Sequence, residues 1–476
     1  MDGGKFCEGC GEELTGGAML TQSNKKYEID MCKGLILPKM LLFAIPLVFS
    51  GVLQLLFNTA DVVVVGRFAG DNSRAAVGSN GSLVGMLTNL FIGLSIGTNV
   101  LAARYYGAKD EEELKRTVHT SMLLGLGGGL ILMVVGMSCA RSLLILMRTP
   151  EEVLGLATLY LVIYFLSMPA LMVYNFGSAV LRAVGDTRRP LFYLVAAGAV
   201  NVLLNLFFVI NLRLDVAGVA IATVISQCVS ALLVVRCLLR EKGAIRLVPS
   251  ELKVSPDKLI QIMKIGVPAG LQGVVFSISN VVIQSSVNSF GAVVMAGNSA
   301  AMNIELYVYF AQNAFYQAIL SFTSQNYGAG RIGRIYKVLK RGLLCSVTVG
   351  GVMGALCIIF GRTLLGIYST SENVIEAGMS RIWILCGTYT LCGVMDDMVG
   401  AIRGVGYSVL PMTVSLIGSC VLRIAWVAAA FQIDAFRSVT TVYLSYPVSW
   451  MLTAGAHVLC FRWIARHKLL PHKLQR

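Results

Sequence analysis

The stretch AIPLVFSGVLQLLFNTADVVVVG, residues 44–66, decides the fold of this 476-residue chain. It is long, strongly apolar and carries a single charged residue, Asp61. A helix needs ~20 mostly apolar residues to cross a bilayer, so this stretch predicts a membrane-spanning helix. The whole chain has the same character, because 56% of its residues are apolar and 13% are charged, against ~25% charged in soluble proteins. This composition excludes a soluble enzyme, a nucleic-acid-binding protein and a secreted scaffold.

Eleven further apolar runs predict eleven more spans. Together the twelve runs are 40–65, 76–103, 118–139, 153–180, 190–210, 216–239, 259–288, 293–322, 338–361, 374–400, 409–431 and 438–462. The segment before the first run has no signal-peptide cleavage pattern, so we expect the first span to be retained. The predicted fold class is therefore an all-α integral membrane protein with twelve transmembrane helices.

The distribution of basic residues predicts the orientation of these spans. The net charge is +14, and 30 of the 39 Lys and Arg residues fall in segments on the same side as the N-terminus. Seven fall in the opposite loops and two fall within spans. Cytoplasmic loops carry the excess of Lys and Arg, so both termini are predicted to be cytoplasmic. We expect a multi-pass protein of the plasma membrane, in a prokaryote.

The two halves of the chain are related by an internal repeat. The tripeptide YGA at 106–108 recurs at 327–329, and LRAVGDTRRP at 181–190 is matched by IRGVGYSVLP at 402–411. Both pairs are separated by 221 residues. Each half contains six spans, an even number, so the halves are predicted to be parallel repeats related by an axis along the membrane normal.

This repeat predicts two six-helix lobes with a cleft between them. The predicted segments are a cytoplasmic extension 1–33, an N-lobe 34–239, a cytoplasmic linker 240–258, a C-lobe 259–463 and a cytoplasmic tail 464–476. Such an arrangement is typical of an alternating-access transporter. A channel or a rigid membrane scaffold is the alternative interpretation.

Ionisable residues within spans are the candidates for coupling transport to an ion gradient, since the chain contains no P-loop motif. Asp61 is predicted ~24 Å from the cytoplasmic side, Asn201 and Asn205 at ~16 and ~22 Å, and Thr223 at ~20 Å. Their carboxylate, amide and hydroxyl oxygens suit a hard cation, and a buried carboxylate also suits proton coupling. Hydrogen bonding between helices is the alternative role for these side chains.

These features together make the chain similar to the multidrug and toxic compound extrusion (MATE) family. The resemblance covers about residues 33–465 and rests on the stretch 44–66, the paired YGA loops, the matched segments 181–190 and 402–411, and NVLLN at 201–205. It implies an antiporter, not an enzyme, that exports organic and often cationic compounds in exchange for H⁺ or Na⁺. We expect no cofactor, no metal and no nucleic-acid partner, and we expect the protein to function as a monomer in the lipid bilayer.

The resemblance also suggests roles for the candidate site. The first-span aspartate of the family corresponds to Asp61. Some members have Asn-x-x-x-Asp in the fifth span and a Thr in the sixth, and Asn201 and Thr223 match the first and the last of these. Asn205 departs from the pattern, because it is an amide where those members have a second carboxylate. The coupling ion, H⁺ or Na⁺, is therefore left open.

The C-lobe contains three acids within its predicted spans. Glu305 has no basic partner nearby in the sequence, so we expect it to face the cavity. Asp396 and Asp397 are adjacent and point ~100° apart, so at most one of them faces the cleft squarely. An ion pair of either aspartate with Arg423 is the alternative.

Further residues complete the predicted cavity and its hinges. The cavity candidates are Gln54, Asn58, Tyr307 and Tyr309, whose polar and aromatic groups would contact an organic cation. Pro46 and Pro268 lie inside spans and are hinge candidates, and Pro169 lies inside a third span. A static kink is the alternative for each proline.

Two alternatives to drug export make different demands on the sequence. A flippase for a lipid-linked saccharide of the same broad superfamily would be expected to have more spans and an Arg-rich cavity, whereas only Arg381 and Arg423 lie within predicted spans. An intramembrane transferase would need paired catalytic polar residues, which the sequence does not show. Cys7 and Cys10 resemble half a zinc knuckle, but only Cys32 is near as a third ligand, so we predict a loose extension instead.

Overall fold

The computed structural model describes residues 27–68, 71–430 and 433–469, and these residues form helices and connecting loops without a strand. The α-helices are α1 Ile36–Phe68, α2 Asp71–Ala108, α3 Glu111–Leu146, α4 Glu151–Phe165, α5 Met168–Ala183, α6 Arg188–Leu206, α7 Asp215–Arg240, α8 Pro256–Asn288, α9 Ala292–Gly328, α10 Ile332–Ile359, α11 Gly361–Gly366, α12 Glu372–Gly404, α13 Val409–Ser415, α14 Leu422–Ala430 and α15 Val439–Ile464. A π-helical segment, Phe207–Asn211, extends α6, and another, Leu416–Val421, joins α13 to α14.

The predicted multi-span membrane fold is confirmed. Ten helices in the described ranges are long and apolar enough to cross a membrane, and α4 and α5 make an eleventh span if the pair, bent by 47°, crosses as one. The remaining predicted span, 293–322, corresponds to α9, which has 37 residues but is less apolar. Its buried polar side chains, such as Asn298, Glu305 and Gln312, explain the lower hydropathy.

The internal repeat is visible in the backbone of the loops. Lys109 and Gly330 both have positive φ, +59° and +68°, and Gly185 and Gly406 have φ of +96° and +103°. Each pair is separated by 221 residues, the spacing found in the sequence. A left-handed conformation favours glycine, so the same turns explain why glycine occupies three of these four positions.

The loops lie at two ends of the helical bundle. We call one the basic end; it carries loops 109–110, 184–187, 241–255, 329–331 and 405–408 and the segment before α1. The opposite end carries loops 147–150, 212–214, 289–291, 367–371 and the described part of 431–438.

The two halves are packed together closely toward the basic end. Gly93 and Gly97 of α2 lie directly against the backbone of α8 at Gly270 and Gly266. A Cβ atom at Gly266 would stand 2.5 Å from the carbonyl oxygen of Leu94. No side chain fits between backbones at this distance, so α2 and α8 close this end of the molecule.

The same face of α2 is open toward the opposite end. Asn89 lies against Gly273 of α8, and Gly78 and Gly85 share the helix face of Asn89, but a Cβ atom at either of these two glycines would have no neighbour within 4 Å. The halves therefore separate beyond Asn89, whose Nδ2 donates to Ser277 Oγ at 3.4 Å. The result is a cleft that is closed at the basic end and open at the opposite end.

The segment before α1 is packed against both halves, so the expectation of a loose extension is wrong for residues 27–33. Met31 is fully buried, and its carbonyl oxygen accepts hydrogen bonds from Asn326 and Arg334, each at 3.1 Å. Tyr106 of α2 donates to the Glu28 carboxylate at 2.8 Å. Cys7 and Cys10 lie outside the described residues.

The prolines named as hinge candidates occupy different places. Pro46 lies within α1, where its carbonyl oxygen accepts a hydrogen bond from Ser50 Oγ at 2.9 Å. Pro268 is buried within α8, in the part that contacts α2. Pro169 is the second residue of α5, directly after the bend between α4 and α5. A hinge function for these prolines stays a prediction.

Candidate functional site

The four residues predicted to form the cation-coupling site are joined by hydrogen bonds within the first half. The Asn205 side-chain amide of α6 donates both to Asp61 of α1 and to Asn201 Oδ1, the latter at 3.3 Å. Asn201 Nδ2 in turn donates to Thr223 Oγ1 of α7 at 3.4 Å. The i, i+4 spacing of the two asparagines places both on one helix face, which explains how α6 connects α1 to α7.

This network has one formal charge and an oxygen atom without a partner. Asn205 is fully buried and Asn201 is 5% exposed, whereas Asp61 is half-buried. The Oδ1 atom of Asn205 has no hydrogen-bond partner among the described residues. A buried carbonyl oxygen beside a carboxylate can accept from a protonated Asp61 or contribute to holding a small cation. The arrangement therefore supplies oxygen atoms of the kinds that hold a proton or a small cation.

Two tyrosines of α4 form a wall beside the carboxylate, and the sequence analysis missed them. Tyr160 and Tyr164 stack with their ring centroids 6.1 Å apart, and both lie within electrostatic range of Asp61. The Tyr164 hydroxyl lies near the Thr88 side chain of α2. Their i, i+4 spacing shows from the sequence that they share a helix face. The sequence does not show whether that face lies beside Asp61 or in the apolar core.

The face of α1 beside this network lines the cleft. Gly51 lies against the ring of Phe310 of α9, in the other half, and Phe57 lies against α6. Gln54 and Asn58 are exposed on the helix face between these two contacts. Asn58 is also one turn from Asp61, so a movement of Asp61 would be transmitted directly to the cleft.

The expectation that Glu305 faces the cavity is wrong. Arg381 of α12 donates to both carboxylate oxygens of Glu305, at 2.7 and 2.8 Å, and both residues are buried. The remaining Arg381 nitrogen donates to Asn298 Oδ1 at 2.8 Å, and Tyr443 donates to the same oxygen. The basic partner of Glu305 is 76 residues away in the sequence, so the residues near Glu305 in the sequence do not indicate it.

The two adjacent aspartates of α12 face different surroundings. Asp396 is partly exposed and lies within electrostatic range of Tyr309 and Arg403. Asp397 is completely buried, and neither of its carboxylate oxygens has a partner in hydrogen-bonding geometry among the described residues. Only Asp396 therefore lies where it can face the cleft.

The alternative of an ion pair between these aspartates and Arg423 is wrong. Arg423 is buried with its guanidinium 4.0 Å from the ring centroid of Tyr446 and donates to Ser449 Oγ at 3.0 Å. No salt bridge joins it to a carboxylate within the described part of the chain. A cation–π contact and a hydroxyl therefore take the place of the expected carboxylate.

The two tyrosines predicted to line the cavity point to different sides of α9. Tyr309 packs on Phe310 with ring centroids 5.7 Å apart, and Asn313 Nδ2 lies 3.5 Å from its hydroxyl. Tyr307 is two residues earlier and interacts electrostatically with Tyr368. Residues two positions apart point ~200° apart on a helix. The structure thus places Tyr309, and not Tyr307, beside Phe310 and Asp396.

These features define a multi-span membrane protein whose two pseudo-symmetric halves surround a cleft that is open at one end. This is the architecture of an alternating-access transporter. The sequence profile of the MatE family matches residues 46–207 and 268–427, once in each half and over more than half of the chain. The chain therefore belongs to the MatE family.

The chain is similar to curated proteins and, in its fold, to proteins of known structure. The chain is 27% identical to "Probable multidrug resistance protein YoeA" of Bacillus subtilis (strain 168), over 92% of this chain and 96% of that protein. It is structurally similar to a MOP superfamily transporter from Pyrococcus furiosus, with a TM-score of 0.86, 20% identity and coverage of 93% and 98%. A multidrug resistance MATE family transporter solved in an outward-facing conformation gives a TM-score of 0.85 at 20% identity, with coverage of 94% and 98%. At these identities the structural likeness shows the fold.

Proposed function

We propose that this protein is a secondary antiporter that exports organic, chiefly cationic, compounds across the plasma membrane of a prokaryote in exchange for H⁺ or Na⁺. The observation that carries the proposal is the hydrogen-bonded network of Asp61, Asn205, Asn201 and Thr223 beside the part of α1 that lines the cleft. A carboxylate within a membrane-spanning helix is costly, and such residues mark ion pathways. The name of the Bacillus relative supports drug export as the transported class.

The conformation suggests how the exchange runs. We take the basic end to be cytoplasmic, because Lys and Arg concentrate in cytoplasmic loops. The cleft then faces outward in this structure. An ion from outside binds at Asp61 and neutralises it, which changes the hydrogen bond to Asn205 and shifts α1. Because Gln54 and Asn58 lie on the same helix, this shift alters the cleft and releases the exported compound.

The cleft has chemistry suited to a cationic compound. Asp396 supplies a carboxylate near Tyr309, and the aromatic rings of Tyr309 and Phe310 offer faces that attract cations. Return of the ion to the cytoplasm requires the contacts of α2 with α8 to open. In this proposal the protein acts as a monomer, without a cofactor or a catalytic step.

The oxygen atoms of the network are compatible with either coupling ion. A proton needs only Asp61, whereas Na⁺ needs several oxygen ligands, which Asn205, Asn201 and Thr223 would provide. Both ions therefore remain in the proposal. The flippase alternative is disfavoured, because the two arginines on which it would depend are buried and engaged, Arg381 with Glu305 and Arg423 with Tyr446.

Reconstituted transport tests the proposal. The full-length protein is placed in proteoliposomes, and flux of a fluorescent organic cation is followed under an imposed pH gradient and, separately, under a Na⁺ gradient. Flux driven by one gradient and collapsed by the matching ionophore supports antiport and identifies the ion. Folded protein without flux under either gradient would contradict export of organic cations.

A further inference from the structure

An open cavity of about 350 Å³ lies at the basic end, where α9 is followed by α10. It is lined by three basic residues, Arg331, Arg334 and Lys337, together with Gly330, Ile332 and Gly333. We call it the basic cavity. Lys340 and Arg341 follow on α10 and are exposed. Five basic side chains are therefore gathered within eleven residues at the predicted cytoplasmic end of a membrane-spanning helix.

Among the described residues, no carboxylate forms an ion pair with the arginines of the basic cavity. Arg331 donates to the carbonyl oxygen of Cys32 at 2.6 Å, and Arg334 donates to three backbone carbonyls of the segment before α1, at 2.9–3.1 Å. Backbone carbonyls fix the guanidinium groups but carry no formal charge. None of the five basic side chains forms an ion pair with a carboxylate of the described residues.

The corresponding loop of the first half has the opposite charge. The repeat aligns GAKDEEELKR at 107–116 with GAGRIGRIYK at 328–337, so four residues DEEE stand where the second half has RIGR. In the first half the carboxylate of Glu113 is paired with Lys258 and Arg116. Glu113 of the acidic loop thus has basic partners within the protein, whereas the arginine at the corresponding position, Arg334, has no carboxylate partner among the described residues.

An apolar surface adjoins the basic residues along α10. Leu344 is 65% exposed and Val347 is 40% exposed, and Leu344 lies on the same helix face as Lys337 and Arg341. Tyr336, next to the cavity, is 38% exposed and packs against Phe461. A ligand that combines a negative charge with hydrocarbon would contact both parts of this surface.

We propose that the basic cavity binds the phosphate headgroup of an anionic phospholipid, whose acyl chains lie along the exposed apolar face of α10. Clusters of Lys and Arg at the cytoplasmic end of a span attract anionic lipids, and each basic residue raises the affinity about 5-fold. The Arg331 and Arg334 contacts with residues 31–34 would link the bound lipid to the segment that joins the two halves. This site is independent of the Asp61 network and of the proposed transport function.

Lipid titration of the purified full-length protein tests this site. Phosphatidylglycerol, phosphatidylcholine or sodium phosphate is added in a neutral detergent, and the midpoint of thermal unfolding is measured at each concentration. A ligand that binds the folded state raises this midpoint in proportion to its occupancy. We expect stabilisation by phosphatidylglycerol that saturates, and none by phosphatidylcholine or by sodium phosphate at equal concentration.

Two variants and a matched control locate the effect. The double variant Lys337→Gln with Arg341→Gln should need about 30-fold more phosphatidylglycerol for half of the full stabilisation, which corresponds to about 2 kcal/mol at 1.4 kcal/mol per factor of ten. Lys337→Gln alone should need about 5-fold more. Neither side chain makes a hydrogen bond or ion pair within the described residues, so both variants should fold. Arg236→Gln with Arg240→Gln removes the same charge from the exposed end of α7 and should behave as wild type.

Three results would overturn the proposal. The first is an unchanged phosphatidylglycerol dependence in Lys337→Gln and in the double variant. The second is an equal loss in the α7 control, which would show a general charge effect. The third is full stabilisation by sodium phosphate alone, which would identify a free anion as the ligand.

Discussion

The buried ion pair between Arg381 and Glu305 should contribute strongly to the stability of the second half. Both residues are nearly inaccessible, with 4% and 6% of their surface exposed, and the contact is bidentate. Glu305→Gln or Arg381→Met alone leaves a buried charge without its partner, which typically costs about 3–5 kcal/mol. Replacing both, by Glu305→Leu with Arg381→Met, removes both charges and should cost less than either single change.

A double-mutant cycle measures this coupling. Thermal unfolding of wild type, the two single variants and the double variant in one neutral detergent gives four stabilities, from which we expect a coupling of at least about 2 kcal/mol. The folded double variant should also retain transport, because Glu305 is paired in the core and does not face the cleft. Unchanged stability of Glu305→Gln, or transport lost in the stable double variant, would refute this reasoning.

Three further changes have defined expected results. Asn205→Asp places a second carboxylate beside Asp61 and should raise the affinity for Na⁺ about tenfold over wild type. The measurement is the unfolding midpoint as a function of Na⁺ concentration, and a midpoint that does not depend on Na⁺ would contradict this. Gly266→Ala forces a Cβ against Leu94 of α2 and should disfavour the conformation closed at the basic end by about 1–3 kcal/mol. Probe distances across the basic end should then increase, and unchanged distances would contradict the tight contact. Lys258→Met leaves Glu113 without its buried partner and should lower the unfolding midpoint, whereas Lys264→Met, on the exposed face of α8, should not.

The membrane fold and the candidate site could be predicted from the sequence because both follow from helical geometry. Apolar runs of ~20 residues identify spans without knowledge of their partners. The i, i+4 spacing of Asn201 and Asn205, with the depth of Asp61 and Thr223, placed four polar groups in one layer. The structure joins these four by hydrogen bonds, while their role in coupling stays a prediction.

The features that were missed depend on which helices are neighbours. Glu305 lies 76 residues from Arg381, and no local pattern indicates that α9 and α12 bring them together. Arg403 is similar: it is buried and donates at 2.7 Å to Gln272 Oε1, which lies 131 residues earlier in the sequence. The packed segment at Met31 also escaped prediction, because it is polar in sequence and is held mainly through its backbone.

Transport by Asp61→Asn is the measurement that tests the central claim most directly. The variant keeps the size of the side chain and a hydrogen-bonding oxygen for Asn205, so the protein should fold, but it cannot take up a proton or neutralise a cation. In proteoliposomes we predict that gradient-driven export of a fluorescent organic cation falls at least about tenfold relative to wild type, as expected when a coupling carboxylate is lost. Asn58→Ala, one turn away in the cleft, should retain coupling to the gradient. Undiminished gradient-driven flux in folded Asp61→Asn would contradict the assignment of this network as the coupling site.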